Sequence, residues 1–411
     1  MTEQNHSGIE KEMEQAPRVY YYGSTGSFTE AAAIRHIRRE DIGDAVLIPS
    51  GNVTEIIEHV LAGRGTGILP VENTNVGAVE MTLLALDSVR SKSGLYIRGE
   101  IDMPVSHVLA SCGPFSEVAG IVSHGAAVSQ CSANLEKLFG QMSRRIPYKT
   151  KDENDLDIPT SDAARMAKDD PRLAAICSED AALKYGLTVH RHNFQDNPYN
   201  ATRFIVVGDK PMDYDPNCSY KTSMIIYLKD EPGFLHDLLD DFATGHINLT
   251  QIKSYKSFDN HKETLDHGFF ITIDGHSGDP DIKRALGRIE NSVSEFRNLG
   301  SYPKAAEVAV DAIEVDWESL VNQEMRRQNG SKNGGDIHLI FILNNRKGAL
   351  RDAIKPFKED NTNLTKVDSW PTGVMGIYGF DLDFANPGDD AKVESLMKRM
   401  EASCRKVVRL G

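Results

Sequence analysis

The chain has 411 residues, 40% of them hydrophobic and 26% charged, with a formal net charge of −14. That length suits two to four domains, and the acidic excess argues against nucleic-acid binding and against attraction to an anionic membrane surface. No apolar run approaches the roughly 20 residues that span a bilayer, and residues 1–17 are polar, read as a disordered tail rather than a secretory signal. Cys112, Cys131, Cys177, Cys218 and Cys404 form no CxxC pair, so reduced thiols in a cytoplasmic protein are expected, with no disulfide framework or metal.

Residues 19–22 read as a strand, 23–27 as a turn and 28–39 as a helix. A strand over 45–49, a helix over 53–62 and a strand over 67–71 follow. This βαβαβ order is the grammar of a mainly parallel sheet. Alternation resumes with a strand at 121–122, helices over 126–139 and 161–168, and strands at 174–177 and 204–207. Two α/β lobes fit 18–208: lobe 1 over about 18–100 and 190–208, lobe 2 over about 101–189. A cleft between such lobes is a natural ligand site.

A polar linker at 213–219 precedes a change of pattern. Strands at 221–228, 249–256 and 268–273 alternate with helices over 234–243 and 281–295, the latter opened by Pro280. A short final segment lies near Leu299. An internal repeat then appears at a constant shift, 348 − 233 = 115. Gly233 matches Gly348, Leu235 matches Leu350 and Phe242 matches Phe357. Asn248-Leu249-Thr250 matches Asn363-Leu364-Thr365, and Ser254 matches Ser369. Between the copies, 305–328 reads as helical and 329–335 as a flexible linker.

Four stretches of the first half resemble the prephenate dehydratase catalytic domain. They are Gly23-Ser24-Thr25-Gly26-Ser27-Phe28, Pro70-Val71-Glu72-Asn73-Thr74 running to Gly77, Ser123-His124 with Gln130-Cys131, and Asn200-Ala201-Thr202-Arg203-Phe204. The resemblance implies an α/β fold whose two-lobed, periplasmic-binding-protein-like catalytic domain occupies 18–208. It implies ferredoxin-like βαββαβ ACT domains over 219–303 and 336–411, joined by a helical connector and linker over 304–335. A second ACT copy is unusual for the family. The implied reaction is decarboxylating dehydration of prephenate to phenylpyruvate in phenylalanine biosynthesis, without cofactor. The implied assembly is a homodimer or homotetramer, and the implied effector an amino acid, foremost phenylalanine. The competing readings are an arogenate dehydratase, a prephenate decarboxylase-type enzyme, and a silent amino-acid sensor on the same fold.

Thr202 matches the family's catalytic threonine. It would assist departure of the ring hydroxyl by a positioned hydrogen bond. Asn73 and Thr74 follow a strand end, where α/β proteins place ligand groups. Glu72 would orient Asn73 or meet the substrate hydroxyl, or else sit buried as a structural acid. Arg203, followed by Phe204, would clamp a carboxylate or form a structural ion pair. Regular strand alternation puts Thr202 and Arg203 on opposite faces. Backbone N–H groups after Gly26, at Ser27 and Phe28, suit a carboxylate, while Ser27 and Glu30 form a capping box. Ser123 and Gln130 would add hydrogen bonds. Thr160 and Ser161 would touch a carboxylate or, as preferred, cap a helix.

In ACT domains of this family a Gly-Ala-Leu and a Glu-Ser-Arg-Pro segment frame the effector. The first copy has Gly233-Phe234-Leu235 and Lys253-Ser254-Tyr255-Lys256; the second has Gly348-Ala349-Leu350 and Asp368-Ser369-Trp370-Pro371. The second keeps more of the pattern, so it is the expected effector site, or the two copies pack side by side as a pseudo-dimer.

Overall fold

The protein is described here from a computed structural model covering residues 16–75, 77–89, 94–140, 147–152, 154–197, 200–228, 233–256, 267–304, 336–343, 348–371 and 378–410. Residues 1–15 of the expected tail and 305–335 of the expected connector lie outside these residues. By packing the chain divides into two units, one formed by 1–75 and 101–209 and the other by 76–100 and 210–411.

The first unit opens with β1 (Arg18–Tyr22), α1 (Phe28–Arg39), β2 (Val46–Ser50), α2 (Val53–Leu61) and β3 (Thr66–Asn73). β1 lies between β2 and β3, parallel to both. The next elements, β4 (Gly77–Ala78) and α3 (Glu80–Ser88), belong to the second unit, and β5 (Tyr96–Pro104) enters the first at Ile101. Alternate side chains of these strands, Val19, Tyr21 and Ile68, meet Ala32 and Ala33 of α1 in one apolar core.

A second sheet follows from β6 (Val108–Ser111), β7 (Gly120–Val122), β8 (Tyr148–Lys149), β9 (Leu173–Cys177) and β10 (Thr188–Arg191), in the order β10-β6-β9-β7-β8. Its three central strands, β6, β9 and β7, are buried on both faces and almost wholly apolar, while β8 and β10 at the edges are more exposed. Val108, Ala110, Val122 and Ala175 meet Ala163, Ala164 and Ala167 of α6 (Thr160–Asp169) and Ala181 and Ala182 of α7 (Glu179–Lys184). Leu109, Ile121 and Ile176 meet Ala127, Leu135 and Phe139 on the other side. The helix expected over 126–139 is two, α4 (Gly125–Gln130) and α5 (Ser132–Phe139). The break is stabilised by Asp196, whose carboxylate accepts from the Ala133 and Asn134 amides, each at 2.9 Å. The chain returns to the first sheet through β11 (Ala201–Gly208), antiparallel to β3. The two segments linking the sheets are hydrogen-bonded to each other, Val105 N to Asn200 O and Phe194 N to His107 O, both at 2.8 Å.

In the second unit each half of the repeat is a βαββαβ module. The first comprises β12 (Tyr220–Leu228), α8 (Phe234–Thr244), β13 (Leu249–Lys256), β14 (His267–Asp274), α9 (Pro280–Ser292) and β15 (Glu295–Pro303). The second comprises β16 (Asp336–Leu343), α10 (Ala349–Glu359), β17 (Leu364–Pro371), β18 (Tyr378–Ala385), α11 (Asp390–Met400) and β19 (Cys404–Leu410). The helix expected to run to 295 stops at Ser292, because Glu295 already pairs with Tyr227 of β12. Among the described residues the modules share one eight-stranded sheet, β15-β12-β14-β13-β17-β18-β16-β19. Leu235, Leu238, Phe242, Leu350, Ile354 and Phe357 bury one helix face of each module against it.

Residues 77–100, expected in lobe 1, are held in the second unit by polar contacts. Tyr227 donates to Asp87, Arg297 to the Leu86 carbonyl at 3.2 Å, and Lys221 to both Glu100 oxygens at 2.8 and 2.9 Å. None of the described helices is long and apolar enough to cross a membrane.

Candidate active site

β3 and β11 end side by side, Thr202 opposite Asn73 and Arg203 opposite Glu72. Alternation therefore gives the two pairs opposite faces of the sheet. Thr202 lies inside the strand, and the bulge falls one residue later, between Arg203 and Phe204.

On one face the Asn73 amide nitrogen lies 2.9 Å from Thr202 Oγ1, 3.0 Å from Asn200 Oδ1 and 3.1 Å from the Ala201 carbonyl. Thr202 Oγ1 therefore accepts a hydrogen bond and keeps its own proton to donate. Thr74 locks the same corner, accepting from the Ala201 amide at 2.9 Å and donating to Asn200 Oδ1 at 3.4 Å.

From Asn200 the network continues to the second sheet. Asn200 Nδ2 donates to Gln130 Oε1 at 3.0 Å, and His107 Nε2 lies 3.0 Å from the same oxygen. A carbonyl oxygen only accepts, so His107 carries its proton on Nε2. Nδ1 is then a bare acceptor, buried without a partner among the described residues. Burial holds the His107 pKa below the ordinary 6.5, with the Gln130 contact opposing the shift. Both lone-pair directions of Gln130 Oε1 are used, which aims its NH₂ away from the network.

The opposite face is an ion-pair group. Arg203 grips Asp102 with Nε and Nη2 at 2.8 and 3.0 Å, and reaches Glu72 at 3.4 Å. Glu72 is 4% exposed. The structure thus does not bring Glu72 or Arg203 to Thr202's face: Arg203 forms the structural ion pair rather than a free clamp. Phe204 is a core residue, packed with Tyr21, Ile68 and Val206, and is withdrawn from the candidate contacts. Ser123 is withdrawn too; fully buried, it donates to the Ile176 carbonyl at 2.7 Å.

The glycine-rich turn is built by Gly23 and Gly26, with φ of 106° and 88°, values that L side chains rarely adopt. Ser27 caps α1, accepting from the Glu30 amide at 3.2 Å. Glu30 reaches back to the Gly26 amide at 2.6 Å, one residue earlier than a capping box requires. Glu30 also accepts from Tyr21, whose hydroxyl burial pushes up to about 12. Phe28, the first residue of α1, sets its ring edge to face against His107 at 5.7 Å, joining this turn to the network. Gly26 abuts the second lobe: Ser178 donates to its carbonyl at 3.0 Å, and Ser24 and Ser161 hydroxyls meet at 2.5 Å. Ser161 is buried, and Pro159 rather than Thr160 holds the N-cap position, without a side-chain cap. His124 caps α4 through Nδ1, accepting from Ala126 N at 3.1 Å. Burial pushes the Cys131 and Cys177 thiols up to about 12, which removes them as nucleophiles near neutral pH.

Sequence reasoning quoted Asn200 without a role and missed His107. A lone histidine between strands has no spacing signal; only the fold shows that its ring meets Gln130.

In the second unit Leu235 and Leu350 are core residues and are withdrawn as effector contacts. Gly233 and Gly348 both adopt left-handed turns, φ 94° and 76°, before α8 and α10. Ala349 is buried beside Gly348, while Phe234 is partly exposed. Where β13 meets β17, Ser254 donates to Asp368 at 2.9 Å and Ser369 accepts from the Ile252 amide at 3.1 Å.

The prephenate dehydratase family model matches residues 19–212. A bifunctional chorismate mutase/prephenate dehydratase of Stutzerimonas stutzeri is 32% identical over 296 residues, spanning 71% of this chain and 75% of its own. An arogenate dehydratase/prephenate dehydratase of Arabidopsis thaliana is 29% identical, spanning 70% and 72%. Among solved structures, the prephenate dehydratase of Arthrobacter aurescens in complex with L-Phe is 28% identical. It aligns with a TM-score of 0.60 over 76% of this chain and 100% of its own.

Proposed function

The chain belongs to the prephenate dehydratase family and is a dehydratase of the lyase class, and we propose that its first unit turns prephenate into phenylpyruvate at the corner formed by Asn73, Thr202 and Gln130. The ring C–COO⁻ bond breaks, releasing carbon dioxide, and its electron pair enters the ring. The ring C–O bond breaks, and the hydroxyl leaves as water after gaining one proton from solvent. Aromatisation drives both cleavages.

The carrying observation is the direction of the Thr202 hydrogen bond. Because Asn73 donates to Oγ1 at 2.9 Å, the threonine proton is free for the departing oxygen. Threonine is far too weak an acid to lose that proton outright. It acts by hydrogen-bonding oxygen as negative charge develops there. Gln130 offers a second donor from the other lobe. At the N-terminus of α1 the Ser27 N–H donates to the Ser24 carbonyl at 3.1 Å, so the N–H groups of Phe28 and Thr29 are those that suit a substrate carboxylate. Arg203 and Glu72 are positioning residues in this reading, fixing the strand ends from behind. Incubation with prephenate and with arogenate in parallel tests the substrate: phenylpyruvate from the first supports the reading, and turnover of arogenate alone replaces it.

The two βαββαβ modules are read as ACT domains sensing phenylalanine, at the Gly348 turn of the second copy. A Cβ at Gly348 would meet the Arg351 guanidinium at 3.5 and 3.7 Å and the Ala243 methyl at 3.6 Å, and one at Gly233 the Lys358 chain at 3.6–3.9 Å, so what favours the second copy is the small Ala349 after Gly348, where the first copy has Phe234. Lys358 is also paired with Asp237. Calorimetric titration with phenylalanine tests this; absence of binding to the full chain contradicts it.

A further inference from the structure

Where the modules meet, the shared sheet is related to itself by an internal two-fold axis. Lys253 pairs with Asp368, its own counterpart in the repeat, since 368 − 253 = 115. The flanking bonds repeat the symmetry: Ile252 N donates to Ser369 Oγ at 3.1 Å, and Val367 N to Ser254 Oγ at 3.3 Å. A residue beside such an axis faces its counterpart whichever two copies pair. Here the two differ in sign, and Lys253 and Asp368 form an ion pair. Asp368, 3% exposed, also accepts from the Ser254 amide at 2.8 Å and hydroxyl at 2.9 Å, and Lys366, paired with Asp381, lies 3.5 Å from it.

Pairing two first copies would set Lys253 against another Lys253, and pairing two second copies would set Asp368 against Asp368. Like charges in a nearly closed seam are strongly disfavoured. The helix layer disfavours the pairing of two first copies. Asp237 and Asp240 of α8 meet Lys358 and Arg351 of α10, Arg351 reaching Asp240 at 3.3 Å. Between two first copies those acids would face Ala243 and His236 instead.

We infer that this seam selects unlike copies: the Lys253–Asp368 pair commits the first module to the second and bars either from pairing with its like on another chain. A single chain thereby completes the paired sheet, and chain-to-chain assembly has to use other surfaces.

The test uses three full-length variants, Lys253→Asp, Asp368→Lys, and both together. Each single change sets like charges across the seam and is expected to lower the thermal midpoint by about 5–10 °C. The double change reverses the pair, and by the internal two-fold an aspartate at 253 meets Ser369 as Asp368 now meets Ser254. It is expected to be more stable than either single variant, while Lys366 beside position 368 keeps it below the unaltered protein. Mixing the two single variants is expected to give a 1:1 heteromer in light scattering, because each supplies the charge that the other lacks. A double variant no better than the worse single, or a mixture without heteromer, overturns the inference. Should the singles fail to fold, Lys253→Met with Asp368→Leu removes both charges. Concentration-dependent growth beyond the wild-type mass then supports the inference, and an unchanged mass overturns it.

Discussion

Replacing His107 by leucine removes one hydrogen-bond donor and one unpartnered acceptor in a single step. The lost bond, Nε2 to Gln130 Oε1 at 3.0 Å, is worth about 1 kcal/mol, and the oxygen still receives Asn200. The removed Nδ1 is buried without a partner among the described residues, a state that costs about 1–3 kcal/mol. Stability should therefore hold or rise. Activity should move the other way. Without His107 the Gln130 amide is free to turn over and present its oxygen where the substrate needs a donor. Loss of one such donor costs up to about 10²–10³-fold; with the amide only partly misdirected, kcat should fall about 10–100-fold while KM changes little. His107→Gln can restore the donor and should recover much of the rate. The pH dependence has a definite sign. The folded pKa is depressed below 6.5, so the stability this histidine allows is complete above pH 6.5. It is lost as pH falls toward the folded pKa, by up to about 1.4 kcal/mol per pH unit. That slope should vanish in His107→Leu. Denaturant titrations from pH 5 to 8 with steady-state kinetics provide both readings. A stability loss above about 3 kcal/mol, or an unchanged kcat, would refute the reasoning.

Glu100→Ala leaves Lys221, 8% exposed at its side chain, without its bidentate carboxylate partner. It should cost about 3–5 kcal/mol by denaturant unfolding, and Glu100→Leu with Lys221→Met should recover most of that. Ala243→Lys puts at the Gly348 turn the lysine that its counterpart Lys358 puts at the Gly233 turn and should abolish phenylalanine binding by calorimetry, whereas Lys358→Ala should leave it intact; the reverse pattern would move the effector to the Gly233 turn.

Local signals made many elements legible from sequence: α1 falls on the expected residues behind its Ser27 cap, and β13 does so although its apolar Leu249, Ile252 and Tyr255 do not alternate, because a register shift follows Leu249. The α4/α5 break was hidden, since the Asp196 that stabilises it lies 62 residues downstream of Asn134. The placement of residues 77–100 was equally hidden, resting on Asp87, Leu86 and Glu100 meeting residues beyond position 220. Within the site, Asn73 and Thr202 were found because both sit in a dense motif. Motifs list neighbours in sequence without separating the faces of a strand, so Glu72, Arg203 and Phe204 came with them although the sheet turns them elsewhere. His107 shows the converse, a group whose importance rests wholly on a contact with a distant Gln130.

The central claim is that Thr202 donates a hydrogen bond to the departing oxygen, and prephenate turnover by Thr202→Ala and Thr202→Ser tests it most directly. Phenylpyruvate formation, followed by ultraviolet absorbance, should fall at least about 100-fold in the alanine variant and recover substantially in the serine variant, which keeps the hydroxyl. An alanine variant as fast as the unaltered protein, or no phenylpyruvate from the unaltered protein, would contradict the account.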